Sequence, residues 1–217
     1  MFTNLSLVLA LISNPGPKAI LGDSSVELAS RSYSMENRYN VPSVNRVFKD
    51  NILLALKYMD GSVKGKSDIS WPEIEKPFHT EFTLNPGEGF AFHDQIMPEF
   101  KDKVVLTTNA RFNSDQGFVS DGWLVGDGVC HLASFIHVAA LDAGLTSVSL
   151  ARHDFATISE IPGEFGVSIK YMPGEFSNSS RQNLYIVNTK EKPVTFEFDF
   201  DGTSLKVEVV EKSGPSA

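Results

Sequence analysis

The residue best placed for chemistry in this sequence is Cys130, the only cysteine, which lies in the segment 126–131 (Gly-Asp-Gly-Val-Cys-His). This glycine-punctuated turn runs directly into the apolar stretch 132–143, which has the pattern of a helix. A thiol in the first turn of a helix faces unpaired backbone N–H groups and the positive end of the helix dipole. Both favour the thiolate, which is the reactive form, so the sequence predicts a reactive thiol.

His153 follows 23 residues later, and one helix with a short connection would let a returning strand place it beside Cys130. Its imidazole would take the thiol proton, and a third group would hold the ring in the right tautomer. The Cys130 backbone N–H would contribute to an oxyanion hole. This is the chain order of papain-like thiol enzymes, which NlpC-type wall peptidases and transglutaminases share. The alternative is structural, since a free cysteine is often a small buried hydrophobe.

Other residues give weaker indications of a site. His131 points about 100° away from Cys130, and His137 lies two turns, about 10 Å, further along the helix. Together with His153 they offer zinc ligands, but their spacing matches no standard zinc site. We therefore predict no metal and no cofactor. Three aspartates lack the alternation of an EF-hand loop and are predicted to stabilise turns: Asp115, Asp121 and Asp127. Three aromatic residues are candidates to line a groove for a glycan or peptide, with core packing favoured: Trp123, Phe90 and Phe92.

Two helices and a series of strands are predicted to position these residues. Helical spacing covers 44–59, and the helix that begins at Cys130 should end at Gly144. Predicted strands flank the turn at 85–88 and cover 104–108, 147–150, 166–171, 183–188, 193–200 and 204–210, with a short apolar strand between the Asp-Gly pairs at 121–122 and 127–128. Asp201-Gly202 predicts a hairpin. The expected fold is α+β, with a few helices packed on a mainly antiparallel sheet. The order along the chain, a cysteine on a helix and then a histidine on a strand, is distantly papain-like.

Composition and charge narrow the classes of function. The chain has 217 residues, 41% of them apolar, and a net charge of −8 with scattered Lys and Arg, which argues against nucleic-acid binding. Residues 5–12 have the length of a signal-peptide core but no preceding Lys or Arg, so an export segment and a buried strand are both open. We predict an apolar segment and arm over 1–43, one domain over 44–212 and a flexible tail over 213–217.

Four segments resemble the VanW family of bacterial proteins. Residues 51–61 are similar to the helix that leads into the family core, and residues 84–92 to its Pro-Gly-Glu-x-Phe-Ser-Phe turn. Residues 126–145 resemble the family signature, Gly-Gly-Gly-Val-Cys-Gln followed by a helix ending Ala-Ala-Leu-x-Ala-Gly-Leu. Residues 183–189 look like its closing strand and Asn-rich turn. The resemblance covers about residues 47–210.

The sequence departs from this pattern after the cysteine. The family's Gln is His131 here, and its Ser-Thr-Thr stretch is Ala-Ser-Phe at 133–135. The family's later His and acidic positions fall at His153 and Glu164. The resemblance thus implies three catalytic candidates, with Asp154 as an alternative acid: Cys130, His153 and Glu164.

The family name comes from a gene accessory to glycopeptide-antibiotic resistance, which implies a cell-envelope setting, and the family's biochemistry is poorly defined. We therefore expect an extracytoplasmic accessory or wall-associated module, with a cytoplasmic protein as the alternative. Its expected partner is peptidoglycan or its peptide precursors, bound around Gly126, Gly128, His131 and Trp123. The competing hypothesis is a thiol-dependent acyl-transfer enzyme, an amidase, peptidase or transpeptidase, with Cys130 as nucleophile. A scaffold that binds a partner protein through the N-terminal arm is a third, weaker option.

Overall fold

The structure is a computed structural model that describes residues 25–212. Its helices are α1 (Pro42–Met59), α2 (Trp71–Ile74), α3 (Val129–Asp142) and α4 (Phe176–Arg181). Its strands are β1 (Val26–Ser34), β2 (Phe78–Leu84), β3 (Gly89–Ala91), β4 (Val104–Thr107), β5 (Thr146–Ser149), β6 (Leu184–Val187), β7 (Val194–Phe200) and β8 (Ser204–Glu211). The apolar segment at 5–12 and the predicted tail at 213–217 lie outside the described residues.

The strands form two four-stranded sheets. The first has the order β1-β8-β7-β2, and all its neighbours are antiparallel. The second has the order β4-β3-β6-β5, in which only the β3–β4 pair is parallel. The turn at 85–88 carries the chain from the first sheet to the second. The predicted α+β class is confirmed, with the strands divided between two sheets instead of one.

The hairpin predicted at Asp201-Gly202 joins β7 to β8. The Asp201 carboxylate accepts the backbone N–H groups of Thr203 and Ser204, both at 2.8 Å, which fixes the turn. Three phenylalanines of β7 face three aliphatic residues of β8 directly, in the pairs Phe196–Val209, Phe198–Val207 and Phe200–Leu205. All six are buried, as the alternation of the sequence predicts.

Helix α3 contacts both sheets. It packs against β1 and β8 of the first, against β5 and β6 of the second, and against α1. Residues 131–140 are therefore all buried, and the helix has no solvent-facing polar stripe. As predicted, it ends before Gly144, which has a φ of 72° and donates its N–H to the Leu141 carbonyl.

Strand β1 corrects the prediction of an N-terminal arm over residues 26–34. The strand pairs with β8, and Tyr33 stacks on Phe135 of α3 with 3.8 Å between ring centroids. Only two of its nine side chains, Ala29 and Tyr33, are buried, because β1 is the edge strand of its sheet. Its remaining residues are mostly polar, so the sequence lacks the apolar alternation that marks a strand. The helix predicted at 44–59 is confirmed as α1.

Two further predicted strands are wrong. Ser120 and Val125 form only a single bridge, and Trp123 between them is 91% exposed. The segment 166–171 forms one bridge, between Val167 and Arg152, and two of its N–H groups donate to side chains of α3 instead of to a strand. The chain bends at 121–123, and the segment 166–171 has no neighbouring strand long enough to form a ladder. Within residues 25–212, no helix combines the length and apolar character needed to cross a membrane.

Candidate functional site

Two glycines set the turn that leads into α3. Gly126 and Gly128 have φ values of 88° and 100°, in the left-handed region. A Cβ on Gly128 would lie 2.4 Å from the carbonyl oxygen of Phe48 on α1, and one on Gly126 would lie 2.9 Å from that of Phe112. Only glycine satisfies both the conformation and the close approach. These two predicted binding residues therefore place the start of α3 against α1 and the loop at 111–114.

The side chain of Asn51 holds the same turn from α1. Its Nδ2 donates to the carbonyls of Val119 and Asp127, both at 2.9 Å, and its Oδ1 accepts the Val119 N–H at 2.8 Å. The amide is fully buried, and these bonds satisfy it. Asn51 was not among the predicted site residues. Its signal in the sequence is a polar residue on the buried face of an otherwise apolar helix.

Cys130 is the second residue of α3, and its thiol faces the extended segment 168–171. The Ile169 N–H donates to Sγ at 3.3 Å, and the thiol lies 3.7 Å from the Ile169 carbonyl, to which it donates. Among the described residues, Sγ hydrogen-bonds to Ile169 alone. Burial raises the pKa of the Cys130 thiol to about 11, and the bond from Ile169 offsets this only in part. The direction is opposite to that expected from the helix position, because desolvation and the nearby charge of Asp127 both disfavour the thiolate.

His153 and Glu164 do not join Cys130 in a hydrogen-bonded triad. The Nδ1 of His153 lies 3.0 Å from the Ala156 carbonyl, and its ring centroid lies 4.0 Å from that of Phe155. Glu164 is exposed in the short helical turn at 163–165, and Asp154 is exposed as well. No hydrogen bond within residues 25–212 connects His153 to either acid. The structure brings Cys130 and His153 to one cleft and leaves both predicted acids outside their hydrogen-bond network.

This cleft has a volume of about 700 Å³ and opens beside the start of α3. Its walls are the turn 126–131, the loops 111–114 and 153–157, and the segment 168–171. The size falls within the range of about 300–1,000 Å³ for small-ligand sites. Trp123 is not part of the lining, and it projects from the loop next to the cleft. Phe90 and Phe92 are fully buried in the core, as favoured from the sequence.

His131 contributes a neutral imidazole to the cleft. Its ring packs edge-on against Phe48 at 4.9 Å and lies 6.0 Å from the His153 ring, between centroids. Its Nδ1 is buried and has no hydrogen-bond partner. Burial lowers the pKa of His131 to about 3, and the nearby charge of Arg38 acts in the same direction. His131 is therefore uncharged at neutral pH.

Two other residues of the cleft carry buried polar atoms without partners. The guanidinium of Arg38 pairs with Glu160 and lies 5.1 Å above the Phe135 ring, but its Nε makes no hydrogen bond. The Oδ2 of Asp127 is likewise unpartnered, and burial raises the pKa of this carboxyl to about 6, with Asp121 adding repulsion. The sequence did not identify Arg38 as a site residue, because its polar surroundings predicted an arm. Asp127 was interpreted as a turn residue, because it belongs to an Asp-Gly pair.

A central helix packed against two sheets, with a preformed cleft at its start, defines an α+β protein with a partly buried thiol in the cleft wall. A family model described as VanW like protein matches residues 79–210, and the chain therefore belongs to the VanW family. The matched region extends from β2 into β8 and includes α3 with its turn. Comparisons with curated proteins and with solved structures gave no match.

Two of the family-like segments meet at a distance from the cleft. Asn188, which follows β6, donates its Nδ2 to the Leu84 carbonyl at 2.9 Å and its N–H to the Glu88 carbonyl at 2.9 Å. The N–H of Gly87 in turn donates to the Asn188 carbonyl. These bonds fasten the turn at 85–88 to the end of β6. The Pro-Gly-Glu turn and the Asn-rich turn therefore have a structural role in joining the two sheets.

Proposed function

We propose that the protein is an extracytoplasmic, non-catalytic module that binds peptidoglycan or its peptide precursors in the cleft at the start of α3. The observation that carries this proposal is the Cys130 thiol, which is partly buried in the wall of the cleft and hydrogen-bonded to the Ile169 backbone. Because the pKa of this thiol is raised above its ordinary value, the thiol stays protonated at pH 7 and is a weak nucleophile. The cleft beside it offers a volume and a mixed apolar and polar lining suited to holding a ligand.

Binding of soluble peptidoglycan fragments, measured by isothermal titration calorimetry, tests this proposal. Ala156 is exposed and lines the cleft, so Ala156→Trp should obstruct it and weaken binding at least tenfold. Ser67→Trp is the matched control, because Ser67 is exposed and lies outside the cleft. We expect the control to bind like the wild type. Absence of binding by the wild type, or equal affinity of all three proteins, would reject the proposal.

A thiol-dependent acyl-transfer enzyme is the second candidate, favoured by the presence of Cys130 and His153 in the same cleft. The two candidates differ in the reactivity of the thiol. For a binding module, alkylation by iodoacetamide should be slow at neutral pH and rise only toward pH 11. A rise with a midpoint below the ordinary thiol pKa of about 8.5, together with turnover of wall peptides that Cys130→Ser abolishes, would establish the enzyme instead.

The cellular setting requires its own test. Fractionation of cells that produce the native protein should place it outside the cytoplasmic membrane. Recovery in the cytoplasmic fraction alone would contradict the envelope role, whatever the affinity for wall fragments.

A further inference from the structure

Unpaired buried polar atoms are concentrated at the cleft. Among the described residues, five buried side-chain atoms have no hydrogen-bond partner, and three belong to residues that line it: Arg38 Nε, Asp127 Oδ2 and His131 Nδ1. Native proteins leave few such atoms unpaired, because each costs about 1–3 kcal/mol of desolvation. Their clustering places three unsatisfied hydrogen-bonding groups in the walls of one cleft, which is where a seated ligand would complete them.

The start of α3 adds a preference for negative charge. Gly128 at the N-cap has no side chain to cap the helix, and the first turn contains no acidic residue. Asp127 precedes the N-cap, but the first turn itself holds no counter-charge to the positive end of the helix dipole, so an acceptor group is favoured at that turn. Because His131 is buried and unpartnered in the same turn, a ligand acceptor placed here would pair with an atom that has no partner in the protein.

The residues that line the cleft include both basic and acidic side chains. Arg38, Arg111 and Lys170 are basic, and the Arg111 guanidinium lies 5.4 Å above the Tyr171 ring. Two acids, Asp121 and Asp127, lie just before the helix. Asp121 accepts the Trp123 N–H at 2.9 Å, whereas the Oδ2 of Asp127 still needs a donor. A ligand that complements these groups would present an acceptor to His131 and an N–H donor to Asp127.

We propose that the cleft binds the C-terminal residue of a peptide, with its carboxylate at the start of α3 beside His131 and its N–H donating to Asp127. The α-carbon of such a residue carries both groups, so a single ligand residue supplies the acceptor and the donor. The proposal rests on the proposed function, because wall peptides supply such ends. A free amino acid offers the same carboxylate with an ammonium in place of the amide.

Calorimetry with the full chain tests the proposal without any substitution. The probes are N-acetyl-D-alanyl-D-alanine with a free carboxylate, the same dipeptide as its C-terminal amide, and free D-alanine. We expect the free carboxylate form to bind at least tenfold more tightly than the amide, and free D-alanine to bind more weakly than the acetylated dipeptide. The first difference follows if the helix start recognises the carboxylate, and the second follows if the cleft also contacts the residue before the C-terminal one.

A pair of substitutions on one helix locates the carboxylate. His131→Phe keeps an aromatic ring against Phe48 but removes the ring nitrogens. It should lower the affinity for the dipeptide with a free carboxylate about tenfold. His137→Phe is the matched control, since His137 lies on α3 outside the cleft and pairs with Ser147 at 2.7 Å. The control should leave the affinity unchanged.

The outcomes separate this inference from the proposed function. Equal binding of the acid and amide dipeptides, while peptidoglycan fragments still bind, would overturn the carboxylate assignment alone. Binding of free D-alanine without the acetylated dipeptide would overturn the assignment to a peptide end. Failure of every probe, wall fragments included, would overturn both proposals. Equal loss of affinity in the His131 and His137 variants would refute the placement beside His131.

Discussion

Gly128→Ala is the sharpest test of how the fold holds the start of α3. Gly128 has a φ of 100°, and an added Cβ would lie 2.4 Å from the carbonyl oxygen of Phe48 and 2.9 Å from its Cα. These neighbours are backbone atoms of α1, so no side-chain rotation can relieve the overlap. Either the two helices separate or the turn changes its conformation. Both changes would deform the cleft.

The expected cost combines two effects. A non-glycine residue with positive φ costs about 1–2 kcal/mol. Overpacking against a rigid neighbour typically adds about 1–3 kcal/mol. The free energy of unfolding should therefore fall by about 2–5 kcal/mol, a large part of the roughly 5–15 kcal/mol that stabilises a typical domain.

Gly122→Ala separates the two effects. Gly122 has a φ of 108°, and nothing lies within 4 Å of its added Cβ, so it carries the conformational cost without the overlap. Urea unfolding followed by circular dichroism should give a loss of about 1–2 kcal/mol for this variant, with an unchanged denaturant dependence. If the losses of the two variants agree within about 0.5 kcal/mol, the contact with Phe48 is not what requires glycine at position 128.

Three further predictions concern residues around the same turn. Asn51→Ala leaves two carbonyls and one N–H unpaired. In urea titrations it should lower the free energy of unfolding by about 2–4 kcal/mol. A loss under about 1 kcal/mol would mean that water replaces the amide. The folded pKa of His131, about 3, lies below the ordinary 6.5, so its contribution to stability is complete above pH 6.5 and is lost as the pH falls toward 3. Between pH 7 and 5 the wild type should therefore lose about 2 kcal/mol more than His131→Phe, and parallel pH curves would show that His131 is not held neutral. Cys130→Ala removes the acceptor of the Ile169 N–H and should lower the free energy of unfolding by about 1–3 kcal/mol. Cys130→Ser retains an acceptor and should lower it less. The reverse order in thermal unfolding would contradict this role of the thiol.

Elements with a strong local pattern were predictable from the sequence. The alternation in β7 and β8 and the Asp201-Gly202 turn define a hairpin without knowledge of the remaining fold. Gly144 similarly marks the end of α3 by its own conformational freedom. Strand β1 was not predictable, because an edge strand is stabilised by the partner that it finds and its own sequence is mostly polar.

The candidate site likewise combines features that local sequence predicts with features that depend on tertiary contacts. The glycine turn and Cys130 were found from neighbouring residues, and the structure places His153 in the same cleft. The bond from Ile169 to the thiol joins residues 39 positions apart, so the burial that reverses the expected pKa direction is a tertiary effect. Arg38 enters the cleft from a segment whose local pattern predicted no structure. Local sequence therefore located the cleft but not the electrostatics inside it.

His131 stands where the family pattern has a glutamine, and this departure yields a last prediction. A neutral imidazole and a primary amide each offer a hydrogen-bond donor and an acceptor, so either can pair with a carboxylate. A role in general acid–base catalysis would be lost on this exchange, because an amide does not titrate near neutral pH. A role in hydrogen bonding to a ligand would be retained. We therefore expect His131→Gln to bind the acetylated dipeptide within about threefold of the wild type, while His131→Phe loses about tenfold. If calorimetry finds the glutamine variant as weak as the phenylalanine variant, the hydrogen-bonding capacity of position 131 does not explain binding, and the imidazole itself is required.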